Sequence, residues 1–188
     1  MKCILKVVAS STLLLFLGCG TETPEEINPN RGFDMWEYMT STLNYEIEYD
    51  IYENSKKVDY YIETDRVLEE GSVYERRSNS GKTMLFLNGN SILMREPSRD
   101  IDIKRYVNLK TSDVFRSSSI DSCIVDEFYK TITIKDSDFT NVLMISCWSK
   151  SAVKQEFYYG YNEGLVALYE KDQNEVKEYV KVSEKRIF

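Results

Sequence analysis

From Tyr45 onward the chain alternates apolar and polar residues. Tyr45, Ile47, Tyr49 and Ile51 interleave with Glu46, Glu48 and Asp50, the period-two pattern of a half-buried strand. Glu53-Asn54-Ser55-Lys56 reads as a turn, after which Val58, Tyr60, Ile62 and Thr64 alternate with Asp59, Tyr61, Glu63 and Asp65. The two strands predict a hairpin with one solvated acidic face, Glu46, Glu48 and Asp50 lying opposite Asp59, Glu63 and Asp65. Shorter strands follow at Val73 to Arg77, Thr83 to Asn88 and Ser91 to Glu96, the last two flanking the tight-turn pair Gly89-Asn90. Met84 to Leu87 and Ile92 to Met94 are apolar on both faces, so this hairpin is either covered on both sides or lines an apolar cavity.

Ile101 to Leu109 alternates again, and Thr111 to Ser119 is Ser-rich, a loop with one helical turn around Val114-Phe115. Cys123 to Ile134 is β-prone, but its alternation breaks at Asp126-Glu127, where a bulge or bend is expected. Asn141 to Ser149, Val153 to Tyr161, Gly164 to Glu170 and Glu175 to Ile187 complete the strands. A short helix precedes them all: Asp34 is placed as N-cap with Glu37 three residues on, so a helix from Asp34 to about Ser41 carries Met35, Trp36 and Met39. No helix is long enough to cross between parallel strands. The pattern predicts a mainly β chain: a single antiparallel, strongly curved meander sheet or open barrel with one short N-terminal helix.

The first residues are of another kind. Met1 to Lys6 carries two lysines and no acid, and Val7 to Leu17 is an apolar run broken only by Ser10, Ser11 and Thr12. This is the layout of a secretory signal, too short to span a bilayer, which takes about 20 apolar residues. Its end, Phe16-Leu17-Gly18-Cys19, resembles the bacterial lipobox, with Phe16 where the pattern usually has Leu. The resemblance implies cleavage before Cys19 and lipidation of its sulfur; the alternative is an ordinary signal peptide and an unmodified Cys19. Two or three acyl chains hold a protein on a membrane where one does so marginally. Gly20 after the cysteine, by analogy with enterobacterial sorting, implies the outer membrane facing the periplasm. Residues 1–18 are then the signal peptide, 19–31 the lipid anchor and a Pro-containing spacer, and 32–188 the β domain.

Charge narrows the partners. Two of the 24 Lys and Arg lie in the signal, leaving the remaining chain at −9, which disfavours nucleic acid and anionic headgroups. Membrane attachment then rests on the lipid. The absence of His removes Ser-His-Asp and Cys-His catalysis and most catalytic zinc sites. No cofactor or metal is called for. With Cys3 in the signal and Cys19 assigned to lipid, Cys123 and Cys147 remain, placed symmetrically about the turn-like Lys135-Asp136-Ser137-Asp138. In an oxidising compartment they are expected to form a disulfide, the alternative being two buried thiols.

Phe139-Thr140-Asn141-Val142-Leu143, trailed by Tyr158-Tyr159-Gly160 and Gly164-Leu165-Val166, resembles a hairpin pattern of bacterial envelope β-proteins, among them uncharacterised lipoproteins and, more loosely, the LolA/LolB-like open barrels that cradle lipid. It covers about 30 of the 188 residues and speaks to topology, with Gly164 supplying an unusual φ. Met84, Phe86, Ile92 and Met94, with Trp148, Tyr158 and Tyr159, are candidates to line a cavity for an acyl chain, or else belong to an ordinary core. The leading expectation is a non-enzymatic binding or structural module of the envelope, for an apolar ligand or a protein partner. The alternatives are a carboxylate-dependent hydrolase and a structural subunit of an envelope complex.

Overall fold

The computed structural model describes residues 27–28, 32–79, 81–97, 100–115, 122–148, 154–171 and 175–188, without the side chains of 101–104. The signal segment, Cys19 and most of the spacer lie outside the described residues. Among the described residues no helix is long and apolar enough to cross a membrane.

One helix, α1 (Met35–Met39), comes first; Asp34 caps it, accepting from the Trp36 N–H at 3.1 Å. Twelve strands follow: β1 (Tyr45–Glu53), β2 (Lys56–Glu69), β3 (Val73–Ser78), β4 (Gly81–Asn88), β5 (Ser91–Arg95), β6 (Asp100–Lys104), β7 (Val114–Phe115), β8 (Ser122–Ile134), β9 (Ser137–Trp148), β10 (Lys154–Gly160), β11 (Gly164–Lys171) and β12 (Val176–Arg186). All pair antiparallel in one sheet of order β6-β5-β4-β3-β2-β1-β12-β11-β10-β9-β8-β7. The sheet is thus two six-stranded meanders joined where β1 meets β12. Its edges, β6 and β7, do not pair, so the barrel stays open. Val114-Phe115, expected as a helical turn, is instead the short edge strand β7, because its two residues pair with Ile124 and Cys123 of β8.

The curvature follows from the cores. Six strands separate β4 from β9, which in a flat sheet puts them about 34 Å apart at ~4.8 Å per strand. Yet Leu85 of β4 and Leu143 of β9 belong to the same buried cluster, with Phe33, Trp36 and Tyr38 between. The sheet therefore bends round α1. The link from β6 to β7 crosses the same hollow: Phe33 and Leu109 exchange backbone hydrogen bonds of 2.8 and 3.0 Å, and the Met35 N–H donates to the Tyr106 carbonyl.

A smaller core lies on the convex face. Val142, Val166, Ala167 and Val180 are covered by Ile134 and Phe139 from the β8–β9 tip. Asn141, at φ 52°, stands where that hairpin changes face, and Lys135 at its turn reaches Glu178 at 2.7 Å.

Bulges set which residues face inward. The expected break in β8 is a bulge at Asp126: Val125 pairs with Ile145 and Glu127 with Met144. Without that extra residue, counting back from the turn would set Cys123 against Trp148. With it, Cys123 and Cys147 are direct partners, their Cα atoms 4.1 Å apart and their sulfurs bonded. The bond closes a segment of 24 residues on the concave side. Replacing both cysteines by serine is expected to lower unfolding stability by ~3 kcal/mol, read from urea midpoints, with the β signature in circular dichroism retained.

Candidate functional site

The first hairpin does not present one acidic outer face. Asn54 and Ser55 take φ of 47° and 68°, the two positive values of a type I′ turn. A regular hairpin from that turn would set Ile51 against Val58, Tyr49 against Tyr60 and Ile47 against Ile62. Instead Val58 bulges out: Tyr52 pairs with Lys57 and Ile51 with Asp59. A one-residue shift moves every later side chain of β2 to the other face. Tyr61, Glu63 and Asp65 therefore lie beside Tyr49, Ile47 and Tyr45 on the concave side, while Tyr60 and Ile62 stand outside, opposite Asp50 and Glu48. A second bulge, at Val182 of β12, likewise turns Lys181 inward opposite Tyr49.

The inverted strand places two carboxylates in the interior, Asp65 fully buried and Glu63 at 7% exposure. Arg76, the β3 partner of Asp65, answers both. Its Nε lies 2.8 Å from a Glu63 oxygen and 3.2 Å from Asp65 Oδ1, and its Nη2 donates to Asp65 Oδ2 at 3.3 Å. The Tyr74 hydroxyl also donates to Asp65. Tyr49 donates to the Leu165 carbonyl at 2.8 Å and stacks on Tyr61 at 4.8 Å, tying this wall to β11. Gly164, at φ 78°, takes a left-handed conformation that residues with side chains rarely adopt.

One cation serves two acids, and the imbalance falls on Glu63. Burial raises its pKa to about 7; Arg76 opposes the rise and Asp65 adds to it. For Arg76, burial works against the charge, but Asp65 and Glu63 outweigh it.

Hydrogen bonds lead from this cluster to a cavity. Ser41 Oγ is 3.4 Å from the Tyr74 hydroxyl and donates to the Leu43 carbonyl. Ser41 also lines a hollow of about 360 Å³ where α1 meets the β2–β3 turn and β4. Its apolar walls are Trp36, Val67 and Leu87; its rim carries Asp34, Glu37, Glu70, Arg105 and Asn162. Asp34 caps the helix and accepts from Arg105 Nε at 3.1 Å, so one carboxylate fixes α1 and the β6–β7 link together. In the concave core the Tyr38 hydroxyl is buried with no hydrogen-bond partner among the described residues, a condition that costs roughly 1–3 kcal/mol.

The sequence-predicted lining residues do not converge. Met84 and Phe86 line a convex-face hollow of about 600 Å³ with Lys82, Arg95, Glu96 and Pro97. Ile92 is fully buried in the concave core and Met94 packs against it. Tyr159 also packs there, whereas Tyr158 packs on the convex core and Trp148 is 41% exposed. Cys123 and Cys147 lie in the concave core. Arg76 and Val67 carried no sequence signal, whereas Leu87 belongs to the run Met84 to Leu87 whose two-sided apolar pattern allowed a cavity wall. Either face of β2 satisfies a period of two, and only the pairing register decides between them.

Glu63 binds a proton more tightly when folded than its ordinary carboxyl does. Its contribution to stability is therefore complete below about pH 4.5 and lost as pH rises through about 7. Glu63→Gln is expected to match the unaltered protein at pH 4 and to exceed its stability at pH 8 by up to about 3 kcal/mol, read from urea midpoints at pH 4, 6 and 8.

No protein family and no curated protein matches the sequence. Among solved structures, the chain is similar to a protein with a YmcC-like fold from Bacteroides fragilis, at TM-score 0.49 and 9% identity over 79% of this chain and 99% of that one. It is also similar to a LolA superfamily protein from Nitrosomonas europaea, at TM-score 0.30 and 12% identity over 81% and 90% of the two chains. At these scores the likenesses are partial.

Proposed function

We propose that this protein is an exported envelope lipoprotein that works without catalysis, holding an apolar ligand or a protein partner at the mouth of its half-barrel. The observation that carries the reading is the mouth cavity itself. It is a hollow of about 360 Å³ beside the concave core, walled by Trp36, Val67 and Leu87 and framed by polar groups that can orient a ligand. The lipobox-like Phe16-Leu17-Gly18-Cys19 supports export, cleavage and lipidation at Cys19. Residues 19–31 then serve as the arm, and 32–188 as the domain held on the outer membrane toward the periplasm.

The hydrolase alternative has one observation in its favour, the neighbouring carboxylates Glu63 and Asp65 with the raised pKa of Glu63. Both, however, are engaged by Arg76, and neither lines the mouth cavity. The binding reading accounts for the cavity and leaves the acids to the architecture.

Two measurements test the proposal. The full chain, extracted from membranes in mild detergent, is expected to retain an apolar small molecule or a partner chain in native mass spectrometry. Leu87→Glu is expected to cut that retention at least tenfold. Recovery of an empty, solitary chain, or retention indifferent to Leu87→Glu, contradicts the binding reading. Palmitate is expected to label the protein, and Cys19→Ser to abolish the label and release the chain from membranes; unchanged membrane fractionation without label contradicts the anchor.

A further inference from the structure

The lining of the mouth cavity discriminates among apolar ligands by charge. Three carboxylates line the hollow, Asp34, Glu37 and Glu70, against one guanidinium, Arg105. The lining therefore carries a net charge of −2, and no second cation lines it among the described residues. Arg105 is also engaged. Its Nε donates to Asp34 Oδ1 at 3.1 Å and its Nη2 donates to Asp34 Oδ2, a two-pronged pair that neutralises Asp34 where it caps α1. A ligand then meets the field of the other two acids, Glu37 on α1 and Glu70 at the β2–β3 turn. Arg105 registers part of that field: its pKa is raised first by the hydrogen bond to Asp34, and further by the charges of Asp34 and Glu37.

Two buried hydroxyls of the wall have the same polarity. Thr40 and Ser41 are 6% and 4% exposed. The Thr40 hydroxyl donates to the Trp36 carbonyl at 2.9 Å, and the Ser41 hydroxyl to the Leu43 carbonyl at 2.7 Å. With those protons given to the backbone, each oxygen meets a ligand as an acceptor. Tyr74, beside Ser41, gives its own proton to Asp65 and does not reverse this. Acceptors under a negative field suit a positively charged donor. A carboxylate or phosphate seated here would lose water beside Glu37 and Glu70, with the guanidinium already committed.

Size sets the rest of the ligand. A hollow of about 360 Å³ lies at the small end of ligand pockets, which run from about 300 to 1,000 Å³. Trp36, Val67 and Leu87 accept a compact hydrocarbon or aromatic body.

We infer that the mouth cavity takes a small organic cation, its apolar body against Trp36, Val67 and Leu87 and its ammonium group held at the rim by Glu37 and Glu70. The inference rests on the binding reading above and narrows it: amines are admitted, while fatty acids and anionic headgroups are refused.

Three probes of like size separate charge from apolar fit: phenethylammonium, hydrocinnamate and the neutral hydrocinnamyl alcohol. Each is titrated calorimetrically into the full chain in non-ionic detergent at neutral pH, with detergent alone as the blank. One rim charge at an exposed site is worth about threefold in affinity, and two about tenfold. Phenethylammonium is therefore expected to bind about tenfold more tightly than the alcohol, and hydrocinnamate more weakly than either. Glu70→Gln, at an exposed turn position, is expected to weaken phenethylammonium about threefold and to leave the alcohol unchanged. If the alcohol or hydrocinnamate binds as tightly as the ammonium, or if Glu70→Gln leaves the ammonium unchanged, the charge selection is overturned while the apolar-ligand reading stands. If none of the three binds, the inference falls together with the small-ligand reading.

Discussion

The arrangement depends on how one guanidinium is shared. A carboxylate removed from water without a partner costs several kcal/mol, and β2 takes two of them inside. Arg76 makes this tolerable by contacting Glu63 and Asp65 together, with the Tyr74 hydroxyl completing Asp65. Such a cluster is a weak source of stability against an apolar core of similar volume. Its use is selective: the competing hairpin register would set Arg76 against the apolar face of β2. The ion pairs thus choose between two registers that the hydrophobic pattern ranks in the opposite order. The choice reaches α1 through Ser41 and Tyr74, and the opposite wall through Tyr49 and the Leu165 carbonyl.

Bulges carry that selection through the sheet. Extra residues at Val58, Leu68, Asp126, Val166 and Val182 separate a side chain's sequence position from the face it occupies. They also increase the local bend, which suits a single sheet that must wrap its own core without closing. Two of them create the polar inner wall of Glu63, Asp65 and Lys181. One brings Cys123 opposite Cys147, where the antiparallel ladder can accept a disulfide.

This explains what could be read from the sequence. The strands were legible because a half-buried strand must alternate. The Asp34 cap was legible because its cue is local, and the cysteine pair because it flanks a turn. The inward face of β2 was not, since the apolar count favours Val58, Tyr60 and Ile62 as the buried set, and only Arg76 on another strand reverses it. Nor was the separation of Met84 and Phe86 from Ile92 and Met94 legible. Both strands are apolar on two faces, so sequence cannot tell a residue facing the core from one flooring a convex hollow. The mouth cavity required Trp36, Val67 and Leu87 from three elements to meet, a tertiary fact with no linear signal.

The half-barrel stands on the register that Arg76 selects, and cross-strand trapping reads it directly. Glu48 and Ile62 are direct partners on the convex face, where a new disulfide leaves the ion cluster untouched. In the reducible-disulfide assay, Glu48→Cys is expected to link to Ile62→Cys on mild oxidation and not to Tyr61→Cys. Preferential linkage of Glu48→Cys to Tyr61→Cys is the result of a bulge-free hairpin. It would put Glu63 and Asp65 outside and contradict the account.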